Sequence, residues 1–266
     1  MIGKKAIFSG SSHFQGLGLE IELSDRYNSV EWLKENGVQP VPDYYVSDMD
    51  IHKYNRWPYL LSQKLGVEEW NCYGGTYKSE LGDGTDIEFL KKLLNHEIDV
   101  TNVSYIFQEL TSATRLRWNF VSYTPAELIE MINKNKVHPK LIKELESWLD
   151  ENEQGKTYSN FSTLFKEVLK KYPNIKFYII DWYGSYYDLL SKEFQKNIFT
   201  YIDRNKKPNR SFHDGLTNDR LRINDSSFCY NSNRTWEVNW FDEHANKEGQ
   251  KHISEILYKQ IQKSLI

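Results

Sequence analysis

Apolar positions along the chain fall into short unbroken runs, separated by stretches whose apolar residues recur every three or four positions. That alternation sets the expected elements. Five runs read as strands or strand ends: Lys5 to Ser9 (KAIFS), Val67 to Asn71 (VEEWN), Val103 to Phe107 (VSYIF), Lys176 to Trp182 (KFYIIDW) and Phe199 to Ile202 (FTYI). The fourth is the strongest and follows the breaker Pro173. Helical patterns lie between them. Val30 to Asn36 stops at Gly37, and Pro58 to Leu65 has proline in its first turn and Gly66 just past its end. Thr85 to His96 sets Ile87, Leu90, Leu93 and Leu94 along one face. Pro125 to Asn133 and Pro139 to Leu149 each begin with proline, and Phe161 to Lys171 repeats Leu164, Phe165, Val168 and Leu169. The stretch from Lys247 to Ser264 puts Ile253, Ile256, Leu257 and Ile261 on one stripe.

Strands alternating with helices predict an α/β chain with a mostly parallel sheet covered on both faces. Ligands of such sheets sit at the carboxyl ends of the strands. Residues from about Asp203 to Asn239 are polar and rich in Asn, Ser and Arg. They are expected to form a long irregular insertion, at about 203–239, in a single domain spanning 1–266.

Composition narrows the function classes. A chain of 266 residues, 39% of them hydrophobic, can bury a substantial core. The 34 basic and 37 acidic residues are well mixed, for a formal net charge of −3, and form no basic stripe of the kind that binds nucleic acid. The two cysteines, Cys72 and Cys229, form no C-x-x-C zinc pair; they could join in one long-range disulfide, which nothing demands, and a reduced compartment is the plainer reading. Near the start, the apolar stretch is only Ala6 to Phe8, short of the roughly 7–15 residues of a signal-peptide core. No run approaches the ~20 apolar residues that span a bilayer. The expectation is a soluble chain of cytoplasmic synthesis. Neither G-x-G-x-x-G nor G-x-x-x-x-G-K-S occurs in the opening loop, which argues against a nucleotide binder.

Candidate chemistry begins where the first strand ends. In I-F-S-G-S-S-H-F-Q-G-L-G-L-E, Ile7 to Glu20, a strand runs into a glycine, two serines and a histidine. A serine presented at such a turn can act as a nucleophile once a base takes its proton, with nearby N–H groups facing the developing oxyanion. The same residues are ordinary turn formers. Of the seven histidines, His96 ends a helix, His138 precedes Pro139, His52 and His213 sit in polar loops, and His13 adjoins Ser12. His252 lies off the apolar stripe of the last helix and is expected to be solvated. His244 differs, because Asp242 stands two residues before it in W-F-D-E-H-A-N-K-E-G-Q. Positions i and i+2 of an extended segment share a side. A carboxylate there can fix the imidazole tautomer and stabilise the imidazolium. Asn246 suits the N-cap of the following helix.

A serine turn after the first strand, with Asp-x-His before the last helix, resembles the SGNH or GDSL-type hydrolases. Gly10-Ser11-Ser12 matches the family's G-D-S block, with Ser11 in the aspartate's place. The match implies Ser12 as nucleophile and its N–H as part of the oxyanion hole. Arg56 to Thr76 resembles the approach to the second block and implies Gly75, or alternatively Gly74, as the next oxyanion donor. The third block, normally G-x-N-D, overlays Glu109-Leu110-Thr111-Ser112, so Thr111 replaces the asparagine. Gln108, Arg115 and His13 are the further candidates for contacting a substrate. The fourth block is Asp242-Glu243-His244, one residue shorter than the usual Asp-x-x-His, with Ala245 where the family's D-x-H-P-N variants have proline. The resemblance runs from Ile7 to Leu257, and S-G-S-S with T-S-x-x-R is similar to divergent members carried by bacteriophages.

The resemblance implies a three-layer α/β/α, flavodoxin-like fold and a serine esterase with a Ser12–His244–Asp242 triad, needing neither metal nor organic cofactor. The implied substrate is an ester-bearing small molecule or an acetylated glycan, with O-acetyl groups favoured because no long apolar lid helix is present to receive a lipid chain. Aromatic residues such as Trp57, Trp182 and Tyr183 either flank the site or pack the core. The altered third block points to a competing expectation, a degenerate hydrolase domain serving as a glycan-binding or virion structural module.

Overall fold

The structure, a computed structural model, describes residues 4–10, 54–74, 85–110, 116–118, 121–123, 151–182, 184, 190, 192–225, 229–230, 236–237 and 240–264. The helix patterns at Val30 to Asn36, Pro125 to Asn133 and Pro139 to Leu149 lie outside the described residues. By compactness the chain divides into two units: residues 1–11 with 70–199, and residues 12–69 with 200–266.

The first unit is built on a parallel sheet. Its strands are β1 (Lys5–Gly10), β2 (Glu68–Gly74, which starts in the other unit's segment) and β3 (Val103–Leu110). A short antiparallel pair, β4 (Leu116–Trp118) and β5 (Val121–Tyr123), precedes β6 (Lys176–Asp181) and β7 (Ile198–Phe199). The spatial order is β2-β1-β3-β6-β7, all parallel, which is the doubly wound order 2-1-3-4-5 of flavodoxin-like folds. The α/β expectation holds.

Register explains how the two faces of the sheet are filled. Ile7 pairs with Ile106, Ile106 with Phe177, and Ile179 with Ile198, so these side chains share one face. They form one buried cluster with Ile87, Leu90, Phe161 and Phe165. Those come from helices of Thr85–Leu94 and Glu151–Lys171. The two helices are tied to each other as Lys171 Nζ donates to the Leu94 carbonyl and Tyr172 Oη donates to Leu93 O at 2.7 Å. The other face carries an aromatic stack. Ring centroids of Phe8 and Phe107 lie 4.9 Å apart, Phe107 and Tyr178 5.6 Å, and Tyr178 and Phe199 4.8 Å. All four rings are buried, and each contact adds roughly 0.5–1.5 kcal/mol beyond area burial.

The second unit holds α1 (Trp57–Leu65). Gly66 ends it in the left-handed conformation at φ 64°, donating to Gln63 O and Ser62 O, as the Pro-first, Gly-last pattern predicts. Numbering the two first-unit helices α2 (Thr85–Leu94) and α3 (Glu151–Lys171), the remaining helices are α4 (Phe212–Asn218) and α5 (Lys247–Lys263). The expected strand Phe199 to Ile202 splits. Its first residue belongs to β7, while Tyr201–Ile202 forms β8, an antiparallel partner of β9 (Pro208–Asn209).

The stretch read as irregular carries structure of its own. It holds β9, α4 and β10 (Arg222–Asp225), then a hairpin of β11 (Cys229–Tyr230) with β12 (Trp236–Glu237). β10 pairs antiparallel with β13 (Trp240–Ala245). α4 escapes a periodicity search because it is short and contains Gly215. That glycine is required, since a Cβ there would collide with the ring of buried Tyr201.

Candidate functional site

Ser12, His13, Gly75, Thr111 and Arg115 lie outside the described residues. What the structure gives are the strand ends that lead into three of these segments, and the scaffold that carries Asp242 and His244.

In the first unit, the buried polar side chains among the described residues are Ser9, Gln108, Glu109 and Asp181. All four stand at the carboxyl ends of β1, β3 and β6, and Ser9 is the register partner of Gln108. Glu109 is 1% and Asp181 0% exposed. Buried carboxyl groups are kept only where polar partners surround them, so these strand ends form a polar pocket of the sheet. The carboxyl ends of neighbouring parallel strands are where doubly wound sheets bind ligands. The switch point of this strand order lies between β1 and β3, the strands running into Ser11-Ser12 and Thr111-Ser112. The sequence reading has Glu109 only as the first position of the third-block overlay and Asp181 only as part of an apolar run, and singles out neither as a buried carboxyl. Their signal was position, at the last turns of two apolar strands. Gln108 is buried, at 1% exposure, within β3. Trp57 and Trp182 are core residues, 2% and 0% exposed.

In the second unit, Asp242 and His244 lie on β13, so the backbone of this block is extended. The register of β13 against β10 shifts there. Arg222 pairs with Ala245 and Asn224 with Phe241, so Ile223 alone faces Asp242, Glu243 and His244. Interruptions of regular pairing, bulges among them, bend a strand and recur beside active sites.

The end of β13 is fixed with care. Asn246 is the N-cap of α5, its Oδ1 accepting from Gly249 N–H at 2.7 Å, while its own N–H donates to Leu221 O at 2.9 Å. Gly249 packs so closely on Leu221 that a Cβ would overlap the Leu221 carbonyl oxygen. Gln250 is fully buried. Its Oε1 accepts from Trp57 N–H at 2.9 Å and its Nε2 donates to Ala245 O at 3.3 Å. One amide therefore closes the start of α1 and holds the carbonyl that follows His244. As the first helical residue, Trp57 has no intrahelical acceptor for its N–H, and Gln250 supplies one.

His252 corrects the sequence reading. Its side chain is 21% exposed, with Nε2 2.9 Å from Ile202 O and 3.9 Å from Asp219 Oδ2. Asp219 Oδ2 also accepts from Tyr201 Oη at 2.8 Å and from Arg204 N–H at 3.0 Å. Burial, and then the hydrogen bond to Asp219, push the Tyr201 hydroxyl well above the usual tyrosine range. This network ties β8 to α5 and uses His252 as a structural link.

Among the described residues, no cluster of His, Cys, Asp and Glu could hold a metal ion, and no helix is long and apolar enough to cross a membrane. No family model matches the chain, and neither a curated protein nor a solved structure matches it.

Proposed function

We propose that the protein is a serine esterase that hydrolyses carboxylic esters, with O-acetyl groups on a glycan as the favoured substrate. In this reading Ser12, deprotonated by His244, attacks the ester carbonyl. The N–H groups of Ser12 and Gly75, with Thr111, stabilise the tetrahedral oxyanion. Asp242 orients His244. The protonated His244 then gives its proton to the departing alcohol, leaving an acyl-Ser12 ester. Water, deprotonated in turn by His244, attacks that ester and releases the carboxylic acid.

The observation that carries the reading is the register shift between β10 and β13. The sequence block singled out for acid–base work is the one where the strand leaves regular pairing. It is followed at once by the predicted N-cap Asn246. The buried polar ends of β1 and β3, at the switch point ahead of the serine turn and the altered third block, support it further.

The test is labelling with a fluorophosphonate probe followed by peptide mapping. Adduct on Ser12, lost in Ser12→Ala and His244→Ala, is the expected result. A folded wild-type protein that takes no label at any pH from 6 to 9 would overturn it. The outcome would then favour the non-catalytic reading, which the threonine in place of the third-block asparagine supports.

A further inference from the structure

A groove of about 740 Å³ lies within the second unit, between α1 and the first turns of α5. Its lining includes Asn55, Leu60 and Lys64 from the α1 side, and Asn246, Lys247 and Lys251 from the α5 side. That volume falls within the range that takes a small-molecule or oligosaccharide ligand. The charge of the groove is opposite to that of the chain. Three lysines line it in a protein whose formal net charge is −3. Its one lining carboxylate, Glu248, lies 2.9 Å from the Arg204 guanidinium. Among the described residues, neither Lys64 nor Lys251 forms an ion pair. The amino end of α5, a 17-residue helix, opens at the same place and adds its partial positive charge. A local positive cleft in an acidic protein concentrates anions.

The groove also has the surroundings of a sugar site. Asn55 supplies an amide to its wall, and the neighbouring Tyr54 is the large apolar side chain most exposed among the described residues, at 53%. Its ring and that of Tyr59 meet in a T-shaped pair, with centroids 5.1 Å apart. Amides and exposed aromatic rings suit hydroxyl-rich ligands, and the lysines add a charge requirement.

We infer that this groove binds an anionic glycan, with Lys64 and Lys251 gathered around its carboxylate groups. The binding stands on the groove alone. Its coupling to catalysis rests on the esterase reading, through Asn246, which lines the groove two residues after His244. The esterase would then take the acetylated form of an acidic glycan and disfavour neutral ones.

The experiment is calorimetric titration of the full chain with trigalacturonate, galactotriose and inorganic phosphate at low and at physiological salt. Trigalacturonate should bind about tenfold tighter than galactotriose at low salt, and this margin should shrink as salt screens the lysines. Lys64→Met/Lys251→Met should reduce trigalacturonate to the level of galactotriose, and Lys64→Arg/Lys251→Arg should retain the preference. Equal affinity for the two sugars, or a preference unchanged by the methionine pair in a protein with native circular dichroism, overturns the inference. Phosphate competing as strongly as trigalacturonate also overturns it, since the groove would then take any small anion. Fluorophosphonate labelling of the wild type is read separately. Trigalacturonate binding without label sinks only the esterase, and label without charge-selective binding sinks only the groove.

Discussion

Replacing Gln250 by alanine is expected to destabilise the second unit by about 3 kcal/mol. The side chain is fully buried and its amide serves two backbone groups, Trp57 N–H at 2.9 Å and Ala245 O at 3.3 Å. Alanine leaves both without that partner. An orphaned buried N–H costs about 1–3 kcal/mol, and the longer bond to the carbonyl belongs at the low end of that range. Lost packing of the side-chain stem adds roughly 1 kcal/mol. Urea unfolding followed by tryptophan fluorescence reads the change in midpoint at constant slope. A loss under about 0.5 kcal/mol, the level of a neutral surface change, would refute the clamp.

Gln250→Glu sharpens the same test. Glutamate keeps an acceptor for Trp57 N–H, but when ionised it sets an oxygen against the Ala245 carbonyl. Burial and that contact raise the folded carboxyl pKa above the unfolded value of about 4.3. The protonated acid can donate to Ala245 O, so the variant's stability should come nearest to wild type below about pH 4. It should fall as pH rises from there toward the folded pKa. A difference from wild type that stays flat from pH 4 to 7 contradicts the assigned geometry.

Four further outcomes follow from the site and its scaffold. Asn246→Ala should cost about 1 kcal/mol through loss of the cap to Gly249, with Asn246→Asp near wild type, read by thermal unfolding. Gly249→Ala gains about 1 kcal/mol of helix propensity. It still should lose about 1–2 kcal/mol net, because overpacking against the Leu221 carbonyl outweighs that gain. Tyr201→Phe should lower stability at neutral pH, and the deficit should shrink above about pH 10. The raised folded pKa means that wild type keeps its full advantage only below the unfolded tyrosine pKa, a point checked by urea midpoints at pH 7 and 11. Thr111→Ala should slow turnover of an activated acetate ester by about 10²-fold, and an unchanged rate would remove its hydroxyl from the oxyanion hole.

Much of the frame was legible in the sequence, where local signals and tertiary demands agree. β1, β3 and β6 are apolar runs because both faces of a parallel sheet are buried. α1 announced itself through Pro58 and Gly66, and the start of α5 through Asn246. The failures have physical causes. The first ten residues of α3, Glu151 to Asn160, are nearly all polar, so no apolar stripe marks them. α4 is seven residues long and contains a glycine kept for the ring of Tyr201. His252 looked solvated because it lies off the apolar stripe, yet it finds a backbone carbonyl 50 residues away. For the site, residue spacing marked Asp242 and His244. It could not reveal that Ile223 opposes the whole block, because strand register is set by pairing with a distant segment.

The interleaving of the two units bears on how the protein is made. The chain passes between them after residues 11, 69 and 199, so each unit is assembled from two separated stretches. The hydrogen bond from Trp57 to Gln250 spans 193 residues. During synthesis, at about 5–20 residues per second, α1 would therefore wait on the order of ten seconds or more for its clamp. Over that interval the first unit can complete its sheet, since its last strand ends at Phe199. The second unit's early segment must be kept from aggregating until α5 is made. Folding should thus be sequential, with the unit carrying Asp242 and His244 closing last.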